Sequence, residues 1–150
     1  MKKLSDKTLT NKLDNAFREL LQKRTKAKRC FVCGLQTDWF NPKTNPHGLQ
    51  VGHFISRKVY ALRWDFDNCF PQCSACNKRH EYNTLPFTQA ILREYGADHI
   101  DRLHTRWQLS KQKAKTFNRA EKLELLESLK NDIEFIDGLQ EAIKNDDSTL

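Results

Sequence analysis

The stretch VGHFISR, residues 51–57, lies between two C-x-x-C pairs, Cys30 with Cys33 and Cys73 with Cys76. Two such pairs, in a chain without the spacing of a disulfide framework, predict one closed zinc site made of four thiolates. Such a site is structural, because no coordination position stays open for water. The loop between the pairs is long enough for a hairpin that carries His53. This histidine could be a further ligand or a packing residue, or it could be the base of an active site that zinc holds in shape.

The rest of the chain is predicted to be helical around this irregular centre, which gives an α+β fold with a zinc-stapled core. Apolar residues at three- and four-residue steps predict helices over residues 6–28, 84–95, 97–108 and 119–144. Within the centre we predict strands over 49–55 and 59–64, a loop over 65–71 and a short helix from Ser74. The predicted segments are an N-terminal basic helix (1–29), the zinc-bound core (30–83), a helical C-terminal region (84–145) and a tail (146–150).

Charge is spread unevenly along the chain. Residues 1–30 carry ten Lys or Arg against three Asp or Glu, residues 31–118 carry twelve against seven, and residues 119–150 carry four against nine. A basic front and middle predict a polyanionic partner, most simply nucleic acid. Basic runs are equally common on solvated helix faces, so charge alone does not decide between these readings.

Nothing in the sequence predicts a membrane protein. No apolar run approaches the length of about 20 residues that a membrane span needs. The basic N-terminal stretch is not followed by the apolar core of a signal peptide. We therefore expect a cytoplasmic protein with no membrane partner, in which cysteines favour metal over disulfides. Cys69 stands outside the paired spacing and is expected to be a packed or spare thiol.

Polar residues close to the second cysteine pair suit a hydrolytic metal centre. Asn77 directly follows the last cysteine, and His80 lies one helical turn further on. A histidine such as His53 can take a proton from water. A side-chain oxygen can help to hold a hard cation such as Mg²⁺, which keeps several waters and takes phosphate oxygens as further ligands. Asn77 could equally cap the helix, since asparagine suits that position.

Three motifs together closely resemble the phage NinG/Rap recombination proteins: C-F-V-C-G, V-G-H-F-I-S-R and R-W-D-F-D-N-C-F-P-Q-C-S-A-C-N. The resemblance covers about residues 27–140, and it extends more loosely to the HNH, or ββα-metal (His-Me finger), nucleases. It implies an HNH-like core and a metal-dependent, structure-specific DNA endonuclease, a hydrolase that cuts branched recombination intermediates such as Holliday junctions. It also implies a phage origin, and therefore a location in the host cytoplasm.

The resemblance implies a role for each matching residue. His53 corresponds to the first histidine of the HNH motif and would be the general base. Asn68 corresponds to the central asparagine, which would orient the histidine through backbone hydrogen bonds. Asn77 corresponds to an asparagine that binds the catalytic cation, Mg²⁺ or Mn²⁺, and His80 would be a second ligand or a phosphate contact.

The chain departs from the HNH pattern at one position. Many HNH enzymes place an aspartate ligand directly before the base, where this chain has Gly52. Either the cation relies on Asn77 with waters and phosphate, or Asp65 or Asp67 moves into the site.

Basic residues are the candidates for DNA contacts. Guanidinium groups match phosphate geometry, and cations along a backbone give salt-dependent affinity. The candidates are Arg57, Arg63, Lys23, Arg24, Lys26, Lys28 and Arg29. A four-way junction has twofold character, so a homodimer fits the resemblance, as do recombination proteins as partners. The alternatives are a non-catalytic zinc module that binds nucleic acid in phage recombination, for which His53 is dispensable, and a protein-interaction adaptor that uses the acidic last helix.

Overall fold

The computed structural model describes residues 4–112 and 117–147. The elements in chain order are α1 (Asp6–Thr25), β1 (Gln50–His53), α2 (Tyr60–Arg63), β2 (Cys69–Gln72), α3 (Ser74–Arg79), α4 (Leu85–Tyr95), α5 (Ala97–Gln112) and α6 (Arg119–Asp147). They form two compact units. The helical unit comprises Met1–Lys26 and Phe117–Leu150, and the central unit comprises Ala27–Thr116.

The helical unit packs the first and the last helix of the chain, α1 and α6, side by side and parallel. Ser5 caps α1, since its hydroxyl accepts the Thr8 N–H at 3.1 Å. The apolar residues of α1 that predicted this helix are buried, and so are Leu126 and Leu129 of α6. Those of α1 are Leu9, Leu13, Phe17, Leu20 and Leu21. From the sequence these helices were assigned to separate segments, whereas in the structure they pack against each other.

Ion pairs fix the parallel direction of the two helices at both ends. Near the start of α1, the Lys122 ammonium donates to both carboxylate oxygens of Asp6 at 2.9 Å, and Lys122 is only 3% exposed. Near its end, the ammonium of Lys23 donates to Asp137. This hydrogen bond raises the pKa of Lys23 despite the opposing effect of burial.

The central unit contains the predicted α+β core around a small antiparallel sheet. β1 and β2 pair so that His53 lies opposite Cys69 and Gln50 lies opposite Gln72. α3 begins directly after β2, which gives the order strand, strand, helix. Helices α4 and α5 follow, as the sequence predicted for residues 84–95 and 97–108.

Two hydrophobic clusters hold the elements of the central unit together. Phe70 of β2 packs with Phe87 and Ile91 of α4, and Phe31 stacks on Phe70 with ring centroids 4.4 Å apart. In the second cluster, Ile55 and Leu62 pack with Leu103 of α5. The small sheet is therefore supported by the helices that follow it.

Two predictions within the core were wrong. Residues 59–64 were predicted to be the returning strand, but Tyr60–Arg63 is a helical turn, α2. Here backbone N–H groups donate within a local turn, as the Leu62 N–H does to the Val59 carbonyl at 3.0 Å. The β-branched and aromatic composition of the segment gives no sign of this turn. Residues 65–71 were predicted to be a loop, but the returning strand is Cys69–Gln72.

Some expectations concern residues at the edges of the described ranges. Asp146 and Asp147 of the predicted tail still belong to α6, and residues 148–150 lie outside the described part of the chain. Among the helices of the described residues, none combines the length and the apolar character that crossing a membrane requires.

Candidate functional site

The four cysteines of the two C-x-x-C pairs come together in the central unit. Their Sγ atoms all lie within 4.8 Å of one another, and those of Cys33 and Cys73 are 3.8 Å apart. A tetrahedral zinc ion with Zn–S bonds of about 2.3 Å requires thiolates at about this separation. The cluster could therefore hold a structural zinc ion, as the sequence predicted.

Two short backbone turns aim the thiols at a common point. The Gly34 N–H donates to the Cys30 carbonyl at 2.9 Å, and Gly34 adopts a φ of 74° that favours glycine. On the other side, Cys73 is the N-cap of α3, which carries Cys76 in its first turns. The Phe31 N–H donates to the Pro71 carbonyl at 2.8 Å, which ties the first turn to β2.

The thiol pKa values show why a cation suits this cluster. Burial raises the pKa of Cys76, and so do the neighbouring cysteines; burial is also the largest cause of the raised pKa of Cys73. For Cys30, burial is the largest single effect and raises the pKa. Hydrogen bonds from backbone N–H groups, first that of Cys33, together lower it by more, so the net shift of the pKa is downward. A bound dication reverses the cost of ionising clustered thiols, because a coordinating thiol loses its proton.

Asn68 holds together the loop that follows His53. It is 0% exposed, and its side-chain oxygen accepts the Ile55 N–H at 2.8 Å. Its amide nitrogen donates to the carbonyls of Ile55 at 2.9 Å and Leu62 at 3.0 Å, while its own carbonyl accepts the Phe54 N–H. One buried side chain therefore joins β1, α2 and the start of β2.

His53 is the last residue of β1, and its ring is oriented by the backbone of α2. Its Nε2 lies 2.9 Å from the carbonyl oxygen of Arg63. A carbonyl only accepts hydrogen bonds, so Nε2 carries the proton in the neutral ring. In that tautomer the basic lone pair belongs to Nδ1.

α3 places Asn77 and His80 one turn apart on the same face. The Asn77 amide nitrogen donates to the side-chain oxygen of Gln50 at 3.0 Å, which leaves the Asn77 oxygen for another partner. The His80 Nε2 donates to the Phe54 carbonyl at 2.8 Å. Its Nδ1 is buried and has no hydrogen-bond partner among the described residues, so its lone pair suits a cation.

A cleft of about 690 Å³ brings these side chains together. Its lining includes His53, Asn77 and His80, and also the charged residues Arg57, Lys58 and Glu81. The structure thus gathers the predicted base and both predicted cation ligands around one space, next to the four-cysteine cluster. Lys58 and Glu81 were not singled out from the sequence, because an exposed charged residue carries no signal of its own there.

The structure also explains the glycine before His53. A Cβ added at Gly52 would overlap the side chain of Gln72, first its carboxamide oxygen. Residue 52 therefore has no room for a side chain while Gln72 keeps its position. Asp65 and Asp67, the alternative carboxylates, both pair with Arg106 of α5, so this structure shows them engaged away from the cleft.

The predicted DNA-contacting residues are distributed over both units. Arg57 lines the cleft, whereas the guanidinium of Arg63 bonds the Arg57 carbonyl at 3.2 Å and lies over the rings of Tyr60 and Trp64. Three of the other cations lie in the helical unit and two in the central unit, namely Lys23, Arg24 and Lys26, and Lys28 and Arg29.

Several of these cations also have partners within their own unit. Lys28 pairs with Asp38 at 2.7 Å, and Arg29 donates to Gln36 at 3.1 Å. The Lys28–Asp38 pair is largely exposed, and exposed ion pairs contribute little stability. Asp38 therefore competes only weakly with a phosphate for the Lys28 ammonium.

Asn68 gives a direct test of how the His53 loop is held. Asn68→Asp is expected to lower the free energy of unfolding by about 2–4 kcal/mol, because two buried carbonyls lose their donors at about 1–3 kcal/mol each. Chemical denaturation of the zinc-loaded protein measures this. The control is Asn83→Asp, an exposed cap whose oxygen accepts the Leu85 N–H and for which we expect a change within about 0.5 kcal/mol. Equal effects at the two positions would contradict this account.

The fold and the site define a class of protein: an α+β protein with a four-cysteine cluster that could hold zinc and a strand–strand–helix unit beside it. The profile of the NinG family, described as "Bacteriophage Lambda NinG protein", matches residues 1–132. The chain therefore belongs to the NinG family. No curated protein and no solved structure is significantly similar to it.

Proposed function

We propose that this protein is a metal-dependent, structure-specific DNA endonuclease that cuts branched recombination intermediates such as Holliday junctions. The observation that carries the proposal is the cleft in which His53, Asn77 and His80 meet beside the cysteine cluster. A histidine base and candidate cation ligands that line one cleft with an arginine and a lysine suit hydrolysis of a phosphodiester. The HNH resemblance of the motifs points to the same chemistry.

His53 acts as the general base. The Arg63 carbonyl fixes the proton on Nε2 and directs Nδ1 to receive a proton from the attacking water. Asn68 holds the loop between β1 and β2, and with it the carbonyl that orients the ring. The water attacks phosphorus and the bond to the 3′ oxygen breaks, which leaves a 5′-phosphate.

Asn77 and His80 would hold the catalytic cation, Mg²⁺ or Mn²⁺. The amide oxygen of Asn77 is the ligand type that both cations accept, and the buried Nδ1 of His80 offers a second ligand. When bound there, the cation would supply positive charge against the negative charge that develops on the phosphate and the leaving oxygen. Zinc keeps a different role, since four thiolates leave it no open position.

The function is tested by cleavage of a labelled synthetic four-way junction, with a linear duplex of the same sequence as control. Each substrate is incubated with Mg²⁺, with Mn²⁺ or with a chelator that leaves the cysteine-bound zinc in place. We expect nicks in the junction only when a divalent cation is added. Binding of the junction without cleavage under any of these cations would contradict the endonuclease and favour a non-catalytic zinc module that binds nucleic acid. The mass of the protein–junction complex tests whether a homodimer binds.

Arg57 tests the phosphate contact at the cleft. Arg57→Ala is expected to weaken junction binding and to reduce the slope of log affinity against log salt by about 1, because one phosphate contact is lost. The control is Arg93→Ala, which removes a surface arginine that pairs with Glu94 on α4. Titrations at several salt concentrations measure both slopes, and an unchanged slope for Arg57→Ala would place the DNA elsewhere.

A further inference from the structure

Gln72 is a buried amide that lacks partners in this structure. It lies in β2, is 0% exposed, and neither its Oε1 nor its Nε2 has a hydrogen-bond partner among the described residues. Burying an amide without hydrogen bonds is costly, and such groups in native proteins usually have a bound ion or water as partner. The position therefore calls for a ligand that the protein chain does not supply.

The side chain of Gln72 reaches across the sheet to Gly52, the residue directly before His53. Gln72 pairs with Gln50 across the two strands, but its carboxamide lies where the Cβ of residue 52 would be. Gly52 stands between Val51 and His53, which both line the cleft. The amide thus takes the space that a side chain directly before the base would fill.

A second amide links this position to the cation ligand on α3. Gln50 shares its strand face with Gly52, because side chains two residues apart on a strand point the same way. The oxygen of Gln50 accepts the amide N–H of Asn77, which turns the Asn77 oxygen away from Gln50. Gln72 is paired with Gln50 and shares its sheet face, and Asn77 of α3 contacts that face through Gln50.

We propose that Gln72 Oε1 is a ligand of the divalent cation that Asn77 binds, in place of a carboxylate at residue 52. This inference rests on the cation site of the proposed function. An oxygen-binding cation satisfies the buried Oε1, and a phosphate oxygen bound to the same cation can accept from Nε2. A neutral amide leaves the site with less negative charge than an aspartate would, so the cation depends more on its phosphate ligands.

The test measures Mn²⁺ binding to the zinc-loaded full chain by electron paramagnetic resonance, without DNA. Gln72→Met keeps the volume of the side chain and removes its polar atoms. We expect Mn²⁺ to bind this variant about 10- to 100-fold more weakly than the wild type. Its melting temperature without Mn²⁺ should equal or exceed that of the wild type, because the unpartnered amide is gone. Equal Mn²⁺ affinity, with or without a lower melting temperature, would mean that Gln72 holds only a structural water, and would overturn the inference.

A compensating pair of substitutions sharpens the test. Gln72→Ala is expected to lose Mn²⁺ affinity, and Gly52→Asp added to it should restore the affinity, because the vacated space then accepts a carboxylate. Gly52→Ala added to Gln72→Ala fills the same space without an oxygen and should not restore it. Failure of a folded Gly52→Asp/Gln72→Ala double variant to regain affinity would overturn the inference. If that variant does not fold, Gln72→Met decides alone.

The outcomes for Gln72 and for the endonuclease are separable. If the wild type binds Mn²⁺ and Gln72→Met does not, while neither cuts a junction, the ligand assignment stands and the endonuclease proposal fails. If the wild type cuts and Gln72→Met binds Mn²⁺ equally well, the endonuclease stands and the ligand assignment fails. A wild type that binds no Mn²⁺ overturns the ligand assignment, and junction cleavage then judges the endonuclease separately.

Discussion

His53→Ala is expected to lower the rate of junction cleavage by about 10²- to 10⁴-fold, the usual contribution of a general base. The variant should keep its zinc and its junction affinity, because the ring contacts a backbone carbonyl and belongs to neither the cysteine cluster nor the set of cationic side chains. Single-turnover cleavage of a labelled four-way junction measures the rate. Binding measured with a chelator separates affinity from chemistry.

The matched control for this prediction is His47→Ala. His47 is exposed and its ring lies 3.4 Å from the Ser74 hydroxyl, outside the lining of the cleft. We expect its cleavage rate to stay within about twofold of the wild type, since surface substitutions rarely have large effects. If both variants cut at the wild-type rate, His53 is a packing residue and the base lies elsewhere. If only His53→Ala fails but it has also lost zinc, the effect is structural.

The four-cysteine cluster could be predicted from the sequence because its signal is local. Thiolates in C-x-x-C spacing can reach one ion only through a tight turn, and Gly34 after the first pair provides that turn. To predict that the two cysteine pairs lie close together, one further inference was needed, namely that the chain between them folds back on itself. The hydrogen bond from Phe31 to the Pro71 carbonyl is the contact that closes it.

The position of the second strand could not be predicted because two local signals misled. Pro71 argues against a strand, yet a proline is tolerated in a sheet of two strands, where each strand is an edge. Residues 59–64 have the composition of a strand, but the buried carbonyl of Leu62 is taken by the side chain of Asn68. That contact joins residues six apart through a side chain, so no periodicity reports it. Tertiary hydrogen bonds here override β-propensity.

The meeting of the predicted site residues in one cleft was predicted more accurately than the strands and helices that carry them. His53 ends a strand and Asn77 follows a zinc cysteine, and these two positions depend on the cysteine spacing rather than on the course of the residues between them. Gln72 is different. The glycine at residue 52 is visible in the sequence, but the burial of Gln72 without hydrogen-bond partners among the described residues, and the position of its carboxamide beside Gly52, are not.

Cys73→Ser is expected to abolish stable zinc binding and with it the cooperative unfolding of the central unit. Cys73 is one of the four cysteines that could hold zinc, and it stands at the N-cap position of α3 without a capping hydrogen bond from its side chain. Zinc contributes about 10–16 kcal/mol to the folding of small zinc domains, far more than a two-stranded sheet provides by itself. Zinc content by mass spectrometry, and thermal unfolding followed by near-UV circular dichroism, measure the two effects.

Cys69→Ala is the matched control, because Cys69 is an equally buried cysteine of the preceding strand that lies outside the cluster. It should keep one zinc per chain and lose only about 1–2 kcal/mol, the cost of a small cavity. Chelation of zinc from the wild type should reproduce the Cys73→Ser phenotype, since both remove the same four-coordinate staple. A Cys73→Ser protein that retains zinc at wild-type affinity would mean that the ion has another ligand.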